Sequence, residues 1–445
     1  MKGVPDLSSL WSNRPFVRLF LGRLITNAGD SMYSIATMWL VSSMTGSAMY
    51  TGAAGFLVRI PTTFRFLVGP LVDRWSLRRV LVGTQLVQGI LVLIIPLAAV
   101  TGNLTVWIVL GIMPVLTLVN QFFYPAQTAT LPRILDDDEL VRANMLFSVS
   151  LEGSNMLFNA ATGVLIGIVG TVNVFLFDSI TFAVAAALFV GITIQQTPGM
   201  NSGEGDGSTA ERDDQSTAGP EVADGGEPSE EDHAEESGYV ESLREGIDYI
   251  RGSAVTAMLM GAVLLNFAFG TGIAVFPRFA DSIGGPELYG VLMGAVAGGG
   301  LVGALAAGYV EDVPYGWFTI ASKLASAGAL ILAVAVPSIP IKVLMFFLGF
   351  VPLGMGTVMN GSMYQSAVDD DLMARVTSLT ESISTAMLPV GSLIGGVVAE
   401  FVGVVPMLYM VGVAFALYGL YFYLRPSLRT LPPVAEADAE ALGLG

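Results

Sequence analysis

Twelve long apolar stretches, divided by short loops, restrict this 445-residue chain more than any other feature. They fall at about 16–43, 48–72, 79–100, 104–130, 140–169, 172–194, 254–280, 287–310, 316–336, 340–367, 372–402 and 404–425. A run of roughly 20 apolar residues is what a helix needs to cross the hydrocarbon core of a bilayer. Lipid offers backbone groups no hydrogen-bond partner, so such runs must be helical. Composition agrees: 53% of residues are hydrophobic and only 13% charged. The expected fold class is an all-α membrane protein with twelve transmembrane helices. The first stretch is long and has no small-residue cleavage site behind it, so no cleavable leader is expected.

Charge and residue usage exclude several chemistries. The chain has no cysteine and one histidine, His233, within a polar acidic segment. Disulfides, Cys nucleophiles, Cys/His metal centres and an intramembrane histidine relay are therefore out. No Gly-x4-Gly-Lys-Ser/Thr loop is present, which excludes an ATP-driven pump. Gly298-x-Gly300-x-x-Gly303 has the spacing of a dinucleotide fingerprint, yet it follows no strand and sits inside an apolar run. Small residues at four-residue spacing there are helix-packing contacts. No catalytic residue, metal, cofactor or nucleic-acid partner is expected.

The net charge of −17 is concentrated, with −12 in residues 201–238 and −3 in residues 431–445. Both segments are expected to be solvated. Residues 196–238 have the composition of a disordered linker, and "YVESLREGIDYIRG" after it reads as an amphipathic helix lying on the membrane. The expected domains are a six-helix bundle at 1–195, a linker with interfacial helix at 196–253, a second bundle at 254–426 and an acidic tail at 427–445. Arginines cluster in alternate loops, at Arg14, Arg74, Arg78, Arg79, Arg133, Arg142, Arg244, Arg251, Arg375, Arg425 and Arg429. By the positive-inside rule both termini and the acidic central loop are expected to be cytoplasmic, and the plasma membrane is the expected location. All five tryptophans fall near helix ends, as an aromatic belt requires.

The two halves repeat each other. Gly69-Pro-Leu-Val-Asp73 and Gly308-Tyr-Val-Glu-Asp312 end the second and eighth stretches, offset by 239 residues. The loops beginning at Gln127 and Gln365 share an acidic cluster and an offset of 238. Two pseudo-symmetric six-helix bundles joined by a central loop describe the major facilitator plan. "GPLVDRWSLRRVL" (69–81) resembles the major facilitator superfamily's signature between helices 2 and 3, with Ser76 and Leu77 departing from it. More narrowly, "FVRLFLGRLITNAGDSMYSIATMWLVSSMTGSA", "FYPAQTATLPRILDDDELVRAN", "FDSITF", "LREGIDYIRG" and "RVTSLTESISTAMLPVGSLIGG" resemble runs in the macrolide-efflux and siderophore-exporter branch of drug:proton antiporters.

That resemblance implies a secondary transporter, expected as a monomer, which exports small amphipathic compounds in exchange for protons by alternating access. It also implies that Asp73, Arg74, Arg78 and Arg79 form a gating latch; the same cluster also fits a purely topological, positive-inside role. Phe158-Asn159 stands where this branch usually has Gly-Pro, which keeps a sodium-coupled exporter or an importer open as alternatives. A membrane enzyme and a non-transporting sensor are rivals from other classes.

Ionisable residues in the middle of a membrane helix are costly and functional by default. Asp30 and Arg59 each lie ~21 Å from the cytoplasmic side at 1.5 Å per residue. Their equal depth on antiparallel neighbours makes an ion pair, for coupling or for packing, the expected arrangement. Glu152, with Asn155 and Asn159 on the same helix face, and Glu381 are further coupling or cavity candidates. Asp178 is expected to be structural, and Arg23 and Arg65 to reach the cytoplasmic face. By the resemblance, helices 4 and 10 line the cavity. That makes Phe123, Tyr124, Met359, Met363 and Gln365 substrate-cavity candidates, with core filling as the competing role.

Overall fold

A computed structural model describes residues 8–62, 68, 72, 75–193, 247 and 249–444. Every regular element among them is helical. Twelve helices carry the fold: α1 (Arg14–Thr45), α2 (Ala48–Arg59), α3 (Leu77–Val100), α4 (Val106–Gln121 continued by Phe123–Thr130), α5 (Asp137–Val169), α6 (Thr171–Val190), α7 (Ala254–Ile283), α8 (Gly285–Ala306), α9 (Tyr315–Ala335), α10 (Ile339–Ala367), α11 (Asp370–Thr385 continued by Met387–Val402) and α12 (Val404–Leu424). They match the twelve apolar stretches. The 196–238 linker and most of the interfacial helix lie outside the described residues, as does the second half of the stretch containing α2.

The ends of these helices follow from local sequence. Asn13 caps α1 by accepting the Phe16 N–H at 3.1 Å, with Pro15 in the first turn. Gly46 closes the same helix in the left-handed region at φ 61°. The α4 and α11 breaks each precede a proline, Pro125 and Pro389. Neither proline has an N–H to give the carbonyl four residues earlier, which ends regular bonding there. Lys342, buried at the start of α10, donates to the Ala333 and Val334 carbonyls at 3.1 and 2.9 Å and so caps α9.

Nine helices among the described residues are long and apolar enough to span a bilayer. Of the other three, α2 has only 12 described residues, whereas α1 and α5 have 32 and 33. Polarity, not length, sets α1 and α5 apart. Large side chains such as Ile90, Leu97, Ile168, Leu305 and Phe401 are exposed around the bundle, as lipid contact requires.

Helix pairing shows the two-fold repeat. Within the first half α1 packs on α5, and α3 on α6; within the second α7 packs on α11, and α9 on α12. Across the halves α2 meets α11 and α5 meets α8, again related by a shift of six helices. The stripe 298–303 on α8 lies against α10, where a Cβ on Gly303 would stand 2.0 Å from the Val351 carbonyl oxygen. It is a packing seam, as its apolar context indicates.

All described side-chain contacts between the halves lie at one end of the bundle, here called the far end. Ser392 donates to the Gly52 carbonyl at 3.2 Å, Trp39 stacks on Tyr289 at 5.7 Å, and the Gly163 and Gly290 backbones touch. At the opposite, near end, where α1 begins and α12 finishes, the first half has its own core of Phe16, Phe20, Leu81, Phe123, Phe147 and Phe189. That core is separate from the one uniting both halves at the far end. Among the described residues, the halves meet at the far end.

The aromatic-belt and tail expectations need correction. Trp11, Trp75, Trp107 and Trp317 are about half exposed, but Trp39 is buried in the seam between halves. The tail keeps Glu436, Asp438 and Glu440 exposed, yet Leu428, Leu431 and Leu442 are buried and Tyr315 N–H donates to the Pro432 carbonyl at 3.1 Å. Burial of leucines docks this segment on the second bundle; only its acids are solvated.

Candidate functional site

A cavity lies between the halves, below the far-end seal, and encloses about 1060 Å³ counting its open mouth. Helices α1, α2 and α7 to α10 line it together with α12. Its wall is chiefly apolar and aromatic, with Phe269, Phe276, Phe346, Phe350 and Phe415 from the second half. Ser34 and Met38 face it from α1. Arg59, at the end of α2, is the one charged residue in the lining among the described residues. A concave apolar pocket with few polar groups is the usual form of a small-molecule site.

A polar cluster flanks the cavity within the first half. Asp30, half buried on α1, accepts from the Asn120 side-chain amide of α4 at 3.1 Å on each carboxylate oxygen. Arg23, two turns earlier on α1, is the cation whose field acts on Asp30. Its guanidinium lies 4.8 Å from the Phe123 ring centre. On the other side of α1, Asp178 of α6 is fully buried against Gly29, where a Cβ would stand 2.3 Å from Asp178 Oδ1. Thr181 donates to Asp178 Oδ1 at 3.3 Å, and Asp178 Oδ2 has no partner among the described residues. Tyr33 lies in the combined field of Asp30, Asp178 and Arg59. Gln85 and Gln88 of α3 are fully buried, and Thr26 donates to Gln85 at 2.9 Å.

The expected Asp30–Arg59 ion pair does not form among the described residues. Asp30 turns to α4 and toward Arg23, whereas Arg59 faces the cavity. Equal depth on neighbouring helices does not fix the azimuth at which each side chain leaves its helix. Arg23 is half-buried, with its guanidinium over the Phe123 ring. The buried Gly29 seat of Asp178 fits a packing role.

Glu152, Asn155 and Asn159 lie on α5, and Glu381 on α11 just before its break; the first three side chains lie outside the described residues. Glu381 is exposed. Of the expected latch, Asp73 and Arg74 lie outside the described residues. Arg78 donates to the Val190 carbonyl and Arg18 to the Gly191 carbonyl, so both cap the C-terminus of α6 in their own half. Arg79 borders a surface groove with Trp75 and Phe122. Phe123, Met359 and Met363 are packed into cores, whereas Tyr124 and Gln365 are exposed. None of these five lines the cavity. The aromatic wall from α7, α8, α10 and α12 was missed because periodicity marks these residues as apolar without telling lipid, core and cavity apart. The phenylalanine-rich run 267–276 on α7 was the available signal.

Two pseudo-symmetric bundles around a cavity closed at one end are the architecture of a membrane transporter, not an enzyme. The Major Facilitator Superfamily model matches residues 19–387, and the chain belongs to that family. It is similar to macrolide efflux protein A of Streptococcus pyogenes, at 20% identity over 87% of this chain and 90% of that protein. It is also similar to the multidrug efflux pump Tap of Mycobacterium tuberculosis, at 23% identity over 96% and 98%. Among solved structures, a bacterial homologue of the lysosomal transporter Spinster, inward-facing and unoccupied, superposes with a TM-score of 0.67 at 12% identity, covering 95% of this chain and 97% of that one.

Proposed function

We propose that this protein is a secondary transporter of the plasma membrane that exports small amphipathic compounds in exchange for protons. The observation that carries this reading is the cavity between halves, sealed at the far end and flanked by the Asp30 cluster. With the arginine-rich near end in the cytoplasm, the structure corresponds to a state loading from inside. The bundles 1–195 and 254–426 then rock against each other, with a ligand biasing two pre-existing states. Substrate is released outside once the α2–α11 and α5–α8 seams part.

Asp30 is the coupling residue in this scheme. Its carboxylate is half buried and, among the described residues, accepts from the Asn120 side-chain amide. Tyr33 relates it to Arg59 in the cavity wall, so occupancy of the cavity alters the field at Asp30. The names of the efflux relatives support the direction of transport.

Inside-out vesicles with an acid interior and a trapped pH-sensitive dye test the proposal. From a panel of macrolides, lipophilic cations and siderophores, at least one compound is expected to release protons in wild type and not in Asp30→Asn. Proton release unchanged in that variant removes Asp30 from coupling and turns attention to Glu152 or Glu381. No release with any compound, with sodium-dependent flux instead, contradicts proton exchange.

A further inference from the structure

We infer that the central cavity selects amphipathic anions, with Arg59 as the residue that reads a carboxylate- or phosphate-like head group and the phenylalanine wall as the seat of the apolar body. The inference rests on the transport reading and names the substrate class of the same cavity.

Arg59 lies eleven residues into α2, ~17 Å along the helix axis at 1.5 Å per residue. It is thus far from the membrane surface, yet its side chain is exposed, and the surface it exposes borders the cavity. No acidic side chain pairs with it among the described residues, and its guanidinium makes no hydrogen bond to them. The group whose field reaches it is Tyr33. Asp30, the carboxylate at matching depth, is engaged by Asn120 and Arg23. Among the described residues, the feature that offsets the charge is the C-terminal end of the α-helical part of α2, where 60–62 tighten into a 3-10 turn. That dipole eases the cost of the cation and leaves its five N–H donors open.

A guanidinium presents those donors in a planar fork that fits carboxylate or phosphate oxygens in pairs. In a wall whose other described residues carry no charge, an anionic head gains a charge-assisted pair in a low-dielectric site, and a cationic head meets like charge there. Five phenylalanines with Met38 and Met293 give the body of such a molecule an adaptable apolar surface. Lipophilic cations are therefore poor substrates for this cavity, whatever related pumps carry.

Purified full-length protein in zwitterionic-lipid nanodiscs, titrated with a dansyl-labelled medium-chain fatty acid, its neutral amide and its quaternary ammonium analogue, tests this. Energy transfer from the tryptophans reports binding, and empty nanodiscs correct for lipid partition. The carboxylate is expected to bind about tenfold more tightly than the ammonium analogue, the scale of one charge-assisted pair. Arg59→Gln is expected to abolish that preference while moving the amide affinity little, which also shows that the variant is folded; Arg59→Lys is expected to keep most of it. Equal or tighter binding of the ammonium analogue, a carboxylate preference that survives Arg59→Gln, or no binding of the carboxylate overturns the inference. Flux of the same probes in proteoliposomes separates the two readings. Charge-selective binding without flux removes the transport reading and leaves the anion site. Flux without charge preference removes the anion site and leaves the transport reading.

Discussion

Gly29 and Lys342 show how single residues fix this membrane fold. Gly29 gives Asp178 its seat, and a methyl group there would stand 2.3 Å from Asp178 Oδ1 and 2.4 Å from Thr181 Oγ1. Gly29→Ala is expected to lower stability by roughly 1–3 kcal/mol, the usual cost of overpacking. A thermal melt in detergent measures it, and an unchanged midpoint counts against the close α1–α6 contact. Lys342→Met removes both hydrogen bonds that close α9 and leaves the Ala333 and Val334 carbonyls without that donor. A loss of about 1–2 kcal/mol is expected from two buried acceptors. At this scale the sequence was informative about which residues are unusual and uninformative about whom they meet. Asp30 and Arg59 stood out as charges in apolar helices. Their partners depended on helix rotation, which the residue types at matching depth do not encode.

Among the elements, the far-end seam between α5 and α8 and that between α2 and α11 are close backbone contacts. Gly163 touches Gly290, and Gly52 touches Ser392 and Gly396. A bulky residue cannot enter such a seam without parting it. Gly163→Leu is therefore expected to bias the protein toward the state closed at the near end. The chain has no cysteine, so a single Ser34→Cys reports cavity access cleanly. Its labelling by a membrane-impermeant maleimide applied from the near end is expected to slow about fivefold in Gly163→Leu, as a population shift between two states requires. An unchanged rate means the seam does not gate the cavity. The helices themselves were legible in hydropathy and loop punctuation, and the repeat in two shared loop offsets. The cavity was not, because an apolar side chain has one signature whether it faces lipid, core or substrate.

For the whole molecule, charge is distributed unevenly. The linker at 201–238 carries −12, while the aromatic wall of the cavity comes chiefly from the second half. Replacement of residues 201–238 by a Gly/Ser chain of equal length is expected to leave flux intact, since such chains preserve reach without structure. Loss of all function without any flux in the parent protein favours a sensor. The central claim is alternating access about the cavity between the bundles. Paired spin labels at Arg133 and Glu311, exposed at the near end, and at Gly102 and Ser338 at the far end test it most directly by double electron–electron resonance. Acidification with substrate present is expected to shorten the near-end distance as the far-end distance lengthens. Distances that stay fixed at both ends under every combination of pH and substrate contradict alternating access.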